Sequence, residues 1–250
     1  MKAVFEGSIS FGLVSIPIKL YSAVEPKMIS FKLLCEKCKT PLKYKRFCPK
    51  CKKEVEWSEV VKGLKVAKDK YFVLTKEELH NIMPEKTKLI EIKQFVNAME
   101  VDPIYYDKYY YAVPQNEMDK AYFLFHEILS LTGKAAVATF VMHEKERICL
   151  ISAYKRGLLL TTLNYAYEIR DIDAIVPEAK PKLSSQERML AKKIIEQLES
   201  EFDINAWKDT FAEELKKLIK AKLEGKEIVM KEKEKPKAKT LLEALKASVK

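Results

Sequence analysis

Four of the five cysteines fall in two close pairs, Cys35-x-x-Cys38 and Cys48-x-x-Cys51. Two CxxC turns can offer four thiolates to one tetrahedral ion at ~2.3 Å per sulfur, and zinc is the expected occupant. Four thiolates close the shell and leave no open position for substrate or water, so the expected role is structural rather than catalytic. Pro49, inside the second pair, suits the tight turn that aims both sulfurs inward. Packing alone seldom produces such paired spacing, and cysteines confined to one short basic stretch argue for metal over disulfides in a reducing compartment.

The same stretch is strongly basic. Lys32, Lys37, Lys39, Lys43, Lys45, Arg46, Lys50, Lys52 and Lys53 stand against Glu36 alone. A zinc ion with four thiolates carries a charge of about −2, which leaves the knuckle positive and able to seek phosphate. Lysines also serve simply to solvate a surface. No base-reading helix accompanies these charges, so the contacts expected are with the nucleic-acid backbone.

Little else in the chain points to catalysis. His80, His126 and His143 fit no metal-ligand spacing, there is no phosphate-binding GxxxxGK[ST] loop and no GxSxG elbow, and six glycines supply no dinucleotide turn. The chain is therefore not expected to be an enzyme. Cys149, in Ile148-Cys149-Leu150-Ile151, reads as a core residue. The tyrosines at 105, 106, 109, 110 and 111 could stack single-stranded bases, but alternating aromatics in a strand more often serve a core or an interface.

The elements that must position these groups follow from pattern. The chain has 250 residues, 48% hydrophobic and 33% charged, with a formal net charge of +10. It can bury a sizeable core, and a positive chain of this kind most often meets nucleic acid. Its longest apolar runs, such as Gly157 to Leu163, fall far short of the ~20 residues that a membrane helix needs. An acidic residue, Glu6, stands where a signal peptide would carry its apolar stretch, so an intracellular, cytoplasmic location is expected.

From Phe5 to about Arg170, short β-branched and aromatic runs at 71–74, 89–92, 109–113 and 136–141 read as strands of a mainly antiparallel sheet or barrel. Two helices interrupt them, one opening at Thr75 and one spanning Asp119 to Leu131 before Gly133. Beyond Pro181 the period changes. Ser184 and Glu187 form a capping box ahead of one helix, and Trp207 to Leu223 forms a second, closed by Gly225. The expected organisation is thus a core over residues 1–182 with a knuckle at 35–51, a helical region over 183–225, and a basic tail over 226–250. The tail carries eight Lys and four Glu, and its Leu241, Leu242, Leu245 and Val249 share one face of a short potential helix. Such a helix is too short to be stable alone in water, and it reads either as a frayed terminus or as a segment that orders on a partner.

The opening segment Gly7-Ser8-Ile9-Ser10-Phe11-Gly12-Leu13-Val14-Ser15-Ile16-Pro17-Ile18-Lys19-Leu20-Tyr21-Ser22-Ala23 closely resembles the signature that begins prokaryotic Ku proteins. Further matching stretches follow in the family's order: Ile29-Ser30-Phe31, Val60-Val61-Lys62-Gly63, Ile92 to Val96, Asp102 to Tyr106, Tyr109 to Tyr111 with Pro114, and Thr132-Gly133-Lys134. The terminal run Leu241 to Ser248 also looks like the family's, so the resemblance spans essentially the whole chain.

The resemblance implies an α+β, mainly β fold: a Ku-type β-barrel core with a bridging arm, followed by a helical C-terminal region. The small zinc knuckle expected within it rests on the cysteine spacing of this chain and not on the family, many of whose members lack some of the four cysteines. It also implies a homodimer whose barrels and arms close into a ring that threads onto double-stranded DNA ends without reading sequence. Such a ring recruits an ATP-dependent DNA ligase in non-homologous end joining. The residues expected to face DNA are Lys27, Lys32, Lys43, Lys45 and Arg46 around the knuckle, with Lys145 and Arg147 from a basic cluster between two strands. Cys35, Cys38, Cys48 and Cys51 are the expected zinc ligands, and Leu241, Leu242 and Leu245 the expected partner contacts. The competing readings are a zinc-knuckle RNA-binding or ribosome-associated protein, which would prefer exposed single strands, and a metal-dependent nucleic-acid enzyme, which would need an open metal position and a base.

Overall fold

The computed structural model describes residues 1–27, 29–68, 70–82, 87–178, 181–224 and 244–245. The chain divides into two units, one made of Met1–Lys27 with Phe31–Arg170, the other of residues 28–30 with those from Asp171 onward. The first unit holds the strands β1 (Phe5–Phe11), β2 (Val14–Ser22), β3 (Phe47–Cys48), β4 (Lys53–Glu54), β5 (Lys62–Ala67), β6 (Lys70–Leu74), β7 (Leu89–Asn97), β8 (Tyr106–Pro114), β9 (Lys134–Met142), β10 (Lys145–Tyr154) and β11 (Gly157–Leu163). It also holds the helices α1 (Lys76–Ile82) and α2 (Lys120–Thr132).

Seven strands close into a barrel in the order β1-β2-β8-β11-β10-β9-β7. An odd number of strands cannot close with antiparallel pairs alone. The one parallel pair is β1 with β7, in which Ile9 faces Ile90. Gly7 lies beside this seam: a Cβ there would run into the Lys88 carbonyl, which instead accepts the Ser8 N–H at 2.9 Å. The period-2 pattern turns Ile16, Ile18 and Leu20 of β2 inward, together with Ala136, Ala138, Phe140 and Met142 of β9. Small alanines opposite large aliphatics let the side chains fill the lumen, and each fully buried Leu or Ile is worth about 1.5–3 kcal/mol relative to exposure. Cys149 is in this core, and burial pushes its thiol pKa far up.

The register gives the barrel two distinct ends. At one lie the C-terminus of β2, the N-terminus of β7, and the β9–β10 turn, in which His143 and Glu144 have φ of 53° and 63°. The opposite end carries the β1–β2 and β10–β11 turns and α2. Asp119 caps α2 by accepting the Tyr122 N–H at 3.0 Å, and Gly133 ends it at φ 62°, a conformation that costs glycine least. Tyr122, Phe125 and Leu129 turn inward from α2 and complete the core.

The capping at Thr75 agrees with expectation: Glu78 N–H donates to the Thr75 hydroxyl at 3.1 Å while Thr75 N–H donates to the Glu78 carboxylate at 2.9 Å. In the second unit, α3 (Ser185–Leu198) opens with the expected Ser184–Glu187 box, and the Ser184 N–H and hydroxyl, each donating to the Glu187 carboxylate at 2.7 Å, hold that carboxyl below its usual range. The second helix, α4 (Thr210–Leu223), ends on Glu224; the expected cap Gly225 lies outside the described residues. No described helix is long and apolar enough to cross a membrane.

Candidate nucleic-acid interface

Between β2 and β7 the chain leaves the barrel for a long excursion that carries both CxxC pairs and the β5–β6 hairpin. The two pairs are built alike. Around the first, Cys35 N–H donates to Thr40 O at 2.9 Å, and Leu34 bridges Pro41. Around the second, β3 pairs with β4, with Cys48 opposite Lys53. In each, the residue after the second cysteine takes a positive φ, 54° at Lys39 and 52° at Lys52, which turns the chain back sharply enough to bring the two sulfurs of a pair together.

Within each pair one thiol is favoured as thiolate, the form that binds metal. Cys38 is lowered to about 7, chiefly by hydrogen bonds from Thr40 and then by Cys35. Cys48 is lowered first by the Cys51 N–H, which approaches its sulfur at 3.4 Å, and Cys51 is raised by the neighbouring Cys48. The four ligands expected from the spacing are therefore gathered two by two. Among the described residues no three Cys, His, Asp or Glu side chains converge as a metal group. The donor set and the turns suit zinc, and a shared ion would require the two turns to approach each other.

The expected DNA-facing residues divide by environment. Lys27, Lys32, Lys43, Lys45 and Arg46 are all exposed. Lys45 is drawn to Glu54 at 2.6 Å, and the Arg46 guanidinium lies 4.1 Å from the centre of the Trp57 ring. Lys32 and Lys43 have no ion-pair partner among the described residues, which leaves them free to meet phosphate. Lys145 and Arg147 lie on β10 itself rather than between strands, because the β9–β10 turn needs only His143 and Glu144. Lys145 is exposed at the barrel end from which the excursion departs, and so shares that end with it. Arg147 is different. It is half-buried, faces Asp107 at 3.7 Å, and its Nε is buried without a hydrogen-bond partner. The Asp107 carboxylate also accepts from Thr162 at 3.3 Å, so Arg147 belongs to a polar link between β8, β10 and β11.

Sequence reasoning missed the aromatic side chains among these cations. Tyr44, Phe47 and Trp57 are exposed. Alternation with Lys43, Lys45 and Arg46 was the available signal. The β5–β6 hairpin is also apolar and uncovered: Leu64, Val66, Tyr71 and Phe72 are each more than half exposed. The tyrosines of β8 do not form a platform. Tyr110 is buried, with its hydroxyl pKa raised by burial, while Tyr106 and Tyr109 meet edge to face at 6.4 Å and Tyr111 stacks on Tyr154. Of the expected partner contacts, Leu245 is half-buried in a helical turn, and Leu241 and Leu242 lie outside the described residues.

Comparison with known proteins accords with this architecture. The family model described as the Ku70/Ku80 beta-barrel domain matches residues 10–190. The "Non-homologous end joining protein Ku" of Heliobacterium modesticaldum is 36% identical over all of this chain and 91% of its own length. The protein of the same name from Archaeoglobus fulgidus is 37% identical over all of this chain and 98% of its own. That of Bacillus subtilis is 34% identical over 91% of this chain and 74% of its own. With the barrel, its closing seam and the opening signature all accounted for, the chain belongs to the Ku family.

Proposed function

We propose that this protein binds double-stranded DNA ends, independently of sequence, as a ring-shaped homodimer, and recruits and stimulates an ATP-dependent DNA ligase in non-homologous end joining. The observation that carries the reading is the basic excursion between β2 and β7 in a chain that matches end-joining Ku proteins along its whole length. The excursion acts as the bridging arm. Lys27, Lys32, Lys43, Lys45, Arg46 and Lys145 meet phosphates, with Arg147 behind them holding the strand that carries Lys145.

A two-stranded hairpin alone is marginal in water, so the exposed apolar β5–β6 pair supports a second copy as its cover. A structural zinc held by Cys35, Cys38, Cys48 and Cys51 would tie the two knuckles into one rigid, still basic body. Leu241, Leu242 and Leu245 hold the ligase. No bond is made or broken by the chain: phosphate neutralisation supplies affinity, and ring closure restricts entry to a free end.

A salt titration on linear duplexes of unrelated sequence tests the reading. Affinity should fall with a log–log slope of roughly −0.9 per phosphate contact and be the same across sequences. A flat salt response, a strong sequence preference, or tighter binding of single-stranded RNA would contradict it.

A further inference from the structure

The barrel end opposite the excursion carries a surface that includes none of the residues proposed above to meet DNA. Helix α2 is apolar on both sides. Its inner face completes the core, yet Leu124 and Ile128 on its outer face are 61% and 48% exposed and Leu131 is 74% exposed. A helix at the surface with an apolar outer stripe has a face that water does not favour, and contiguous patches of this kind mark protein contacts.

Two recesses flank this helix. On one side Phe11, Phe95, Phe125, Leu124 and Ile128 line a cleft of about 700 Å³ whose walls are almost wholly apolar. Phe11 stacks on Phe125 at 5.3 Å and Phe95 meets both edge-on at 6.4 Å, which gives the cleft a fixed aromatic floor. On the other side a recess of about 530 Å³ is walled by the stacked Tyr111 and Tyr154 and by Phe123, with Lys155 and Arg156 on its rim. Phe123 and Leu124 are consecutive, so one ligand crossing α2 reaches both recesses.

The charges select the occupant. Lys134 borders the cleft, Lys155 and Arg156 border the recess, and no carboxylate lines either; Glu127, the one acidic residue of α2, is in neither lining. A second copy docked through the same patch would set these cations against their own images, since a two-fold contact is self-complementary. The chain's own tail, with eight Lys and four Glu, is likewise basic. DNA would have to strip water from its phosphates against an apolar cleft. We propose that the α2 end of the barrel docks an acidic amphipathic segment of a partner protein, its apolar side chains in the Phe11–Phe125 cleft and its carboxylates against Lys155 and Arg156. This surface shares no residue with the DNA contacts proposed above, so a peptide held on it and a duplex should bind together.

The probe is a fluorescent synthetic peptide with Leu or Phe at i, i+4 and i+7 and Glu between them, titrated with the full chain. Saturable binding is expected. The peptide with Lys in place of Glu should bind at least about tenfold more weakly, and Lys155→Glu with Arg156→Glu should cost a similar factor. Leu124→Asp with Ile128→Asp should abolish binding while linear duplex is bound as before, and saturating duplex should not displace the peptide. Should the paired aspartates prevent folding, the exposed Lys155 and Arg156 reversal still decides. The proposal fails if no peptide saturates at millimolar concentration, or if the Lys peptide or the charge-reversed chain binds as well. Displacement by duplex would make the face a nucleic-acid surface, and dissociation of a dimer by Leu124→Asp would make it a contact between copies. Tighter peptide binding after removal of residues 226–250 would assign the face to the chain's own tail.

Discussion

The Tyr122 hydroxyl accepts the Leu158 N–H at 3.0 Å and donates to the Ala112 carbonyl at 2.7 Å, so one side chain of α2 bridges the backbones of β8 and β11. All three residues are buried. Tyr122→Phe leaves a buried donor and a buried acceptor without this partner, and should destabilise the chain by about 1–3 kcal/mol. Binding of linear duplex well below the melting temperature should not change, because α2 lies at the far end of the barrel from the excursion. Denaturant unfolding together with a binding isotherm checks both halves.

Lys145 and Arg147 should separate cleanly although they lie two residues apart on β10. Lys145→Ala should weaken DNA binding alike for all sequences and reduce the magnitude of the salt slope by roughly 0.9. Arg147→Ala should act mainly on stability, because it removes the cation that faces Asp107 in the partly buried polar link to Thr162. Thermal melts and salt titrations of the two variants distinguish these outcomes; a salt slope altered by Arg147→Ala, with no loss of stability, would place its guanidinium on phosphate.

Elemental analysis of protein purified under reducing, chelator-free conditions should find one zinc per chain. Chelation should then expose four thiols to a thiol reagent, while Cys149 stays unreactive until the barrel unfolds, since burial holds its thiol protonated. Cys35→Ser or Cys48→Ser should lose the metal and keep the barrel, whose core contains neither residue. Absence of metal would assign the paired cysteines another purpose.

Much of the barrel was legible because a period of two marks which side chains turn inward, as at Ile16, Ile18 and Leu20. Helix α2 was legible from Asp119 and Gly133, whose capping roles are local. Pairing is not local. Nothing in the pattern of β1 says that it lies parallel to β7, about eighty residues on, and the carbonyl that makes Gly7 necessary belongs to Lys88. The same limit hid the partner of Arg147: local charge density singled out the cation, but not that Asp107, on β8, faces it at 3.7 Å. The cysteine turns were legible from CxxC spacing, and their separation into two pairs was not, since spacing fixes each turn and not the distance between turns.

Removal of residues 226–250 deletes eight Lys and four Glu, a net charge of +4, and with them Leu241, Leu242 and Leu245. End binding should fall modestly at low salt and little at higher salt, as expected for lost long-range attraction. Ligation by the cognate ligase should lose its stimulation. Equal stimulation by the truncated chain, with ends bound equally well, would remove the recruitment role.

Threading through a closed ring is tested most directly by topological trapping. Protein is loaded on a linear duplex, the ends are joined, and the circle is washed at high salt beside a circle closed before protein was added. The account predicts that protein stays on the first circle, leaves when a single cut reopens it, and is never retained on the second. Equal retention on both circles, or loss from both at the same salt, would contradict it.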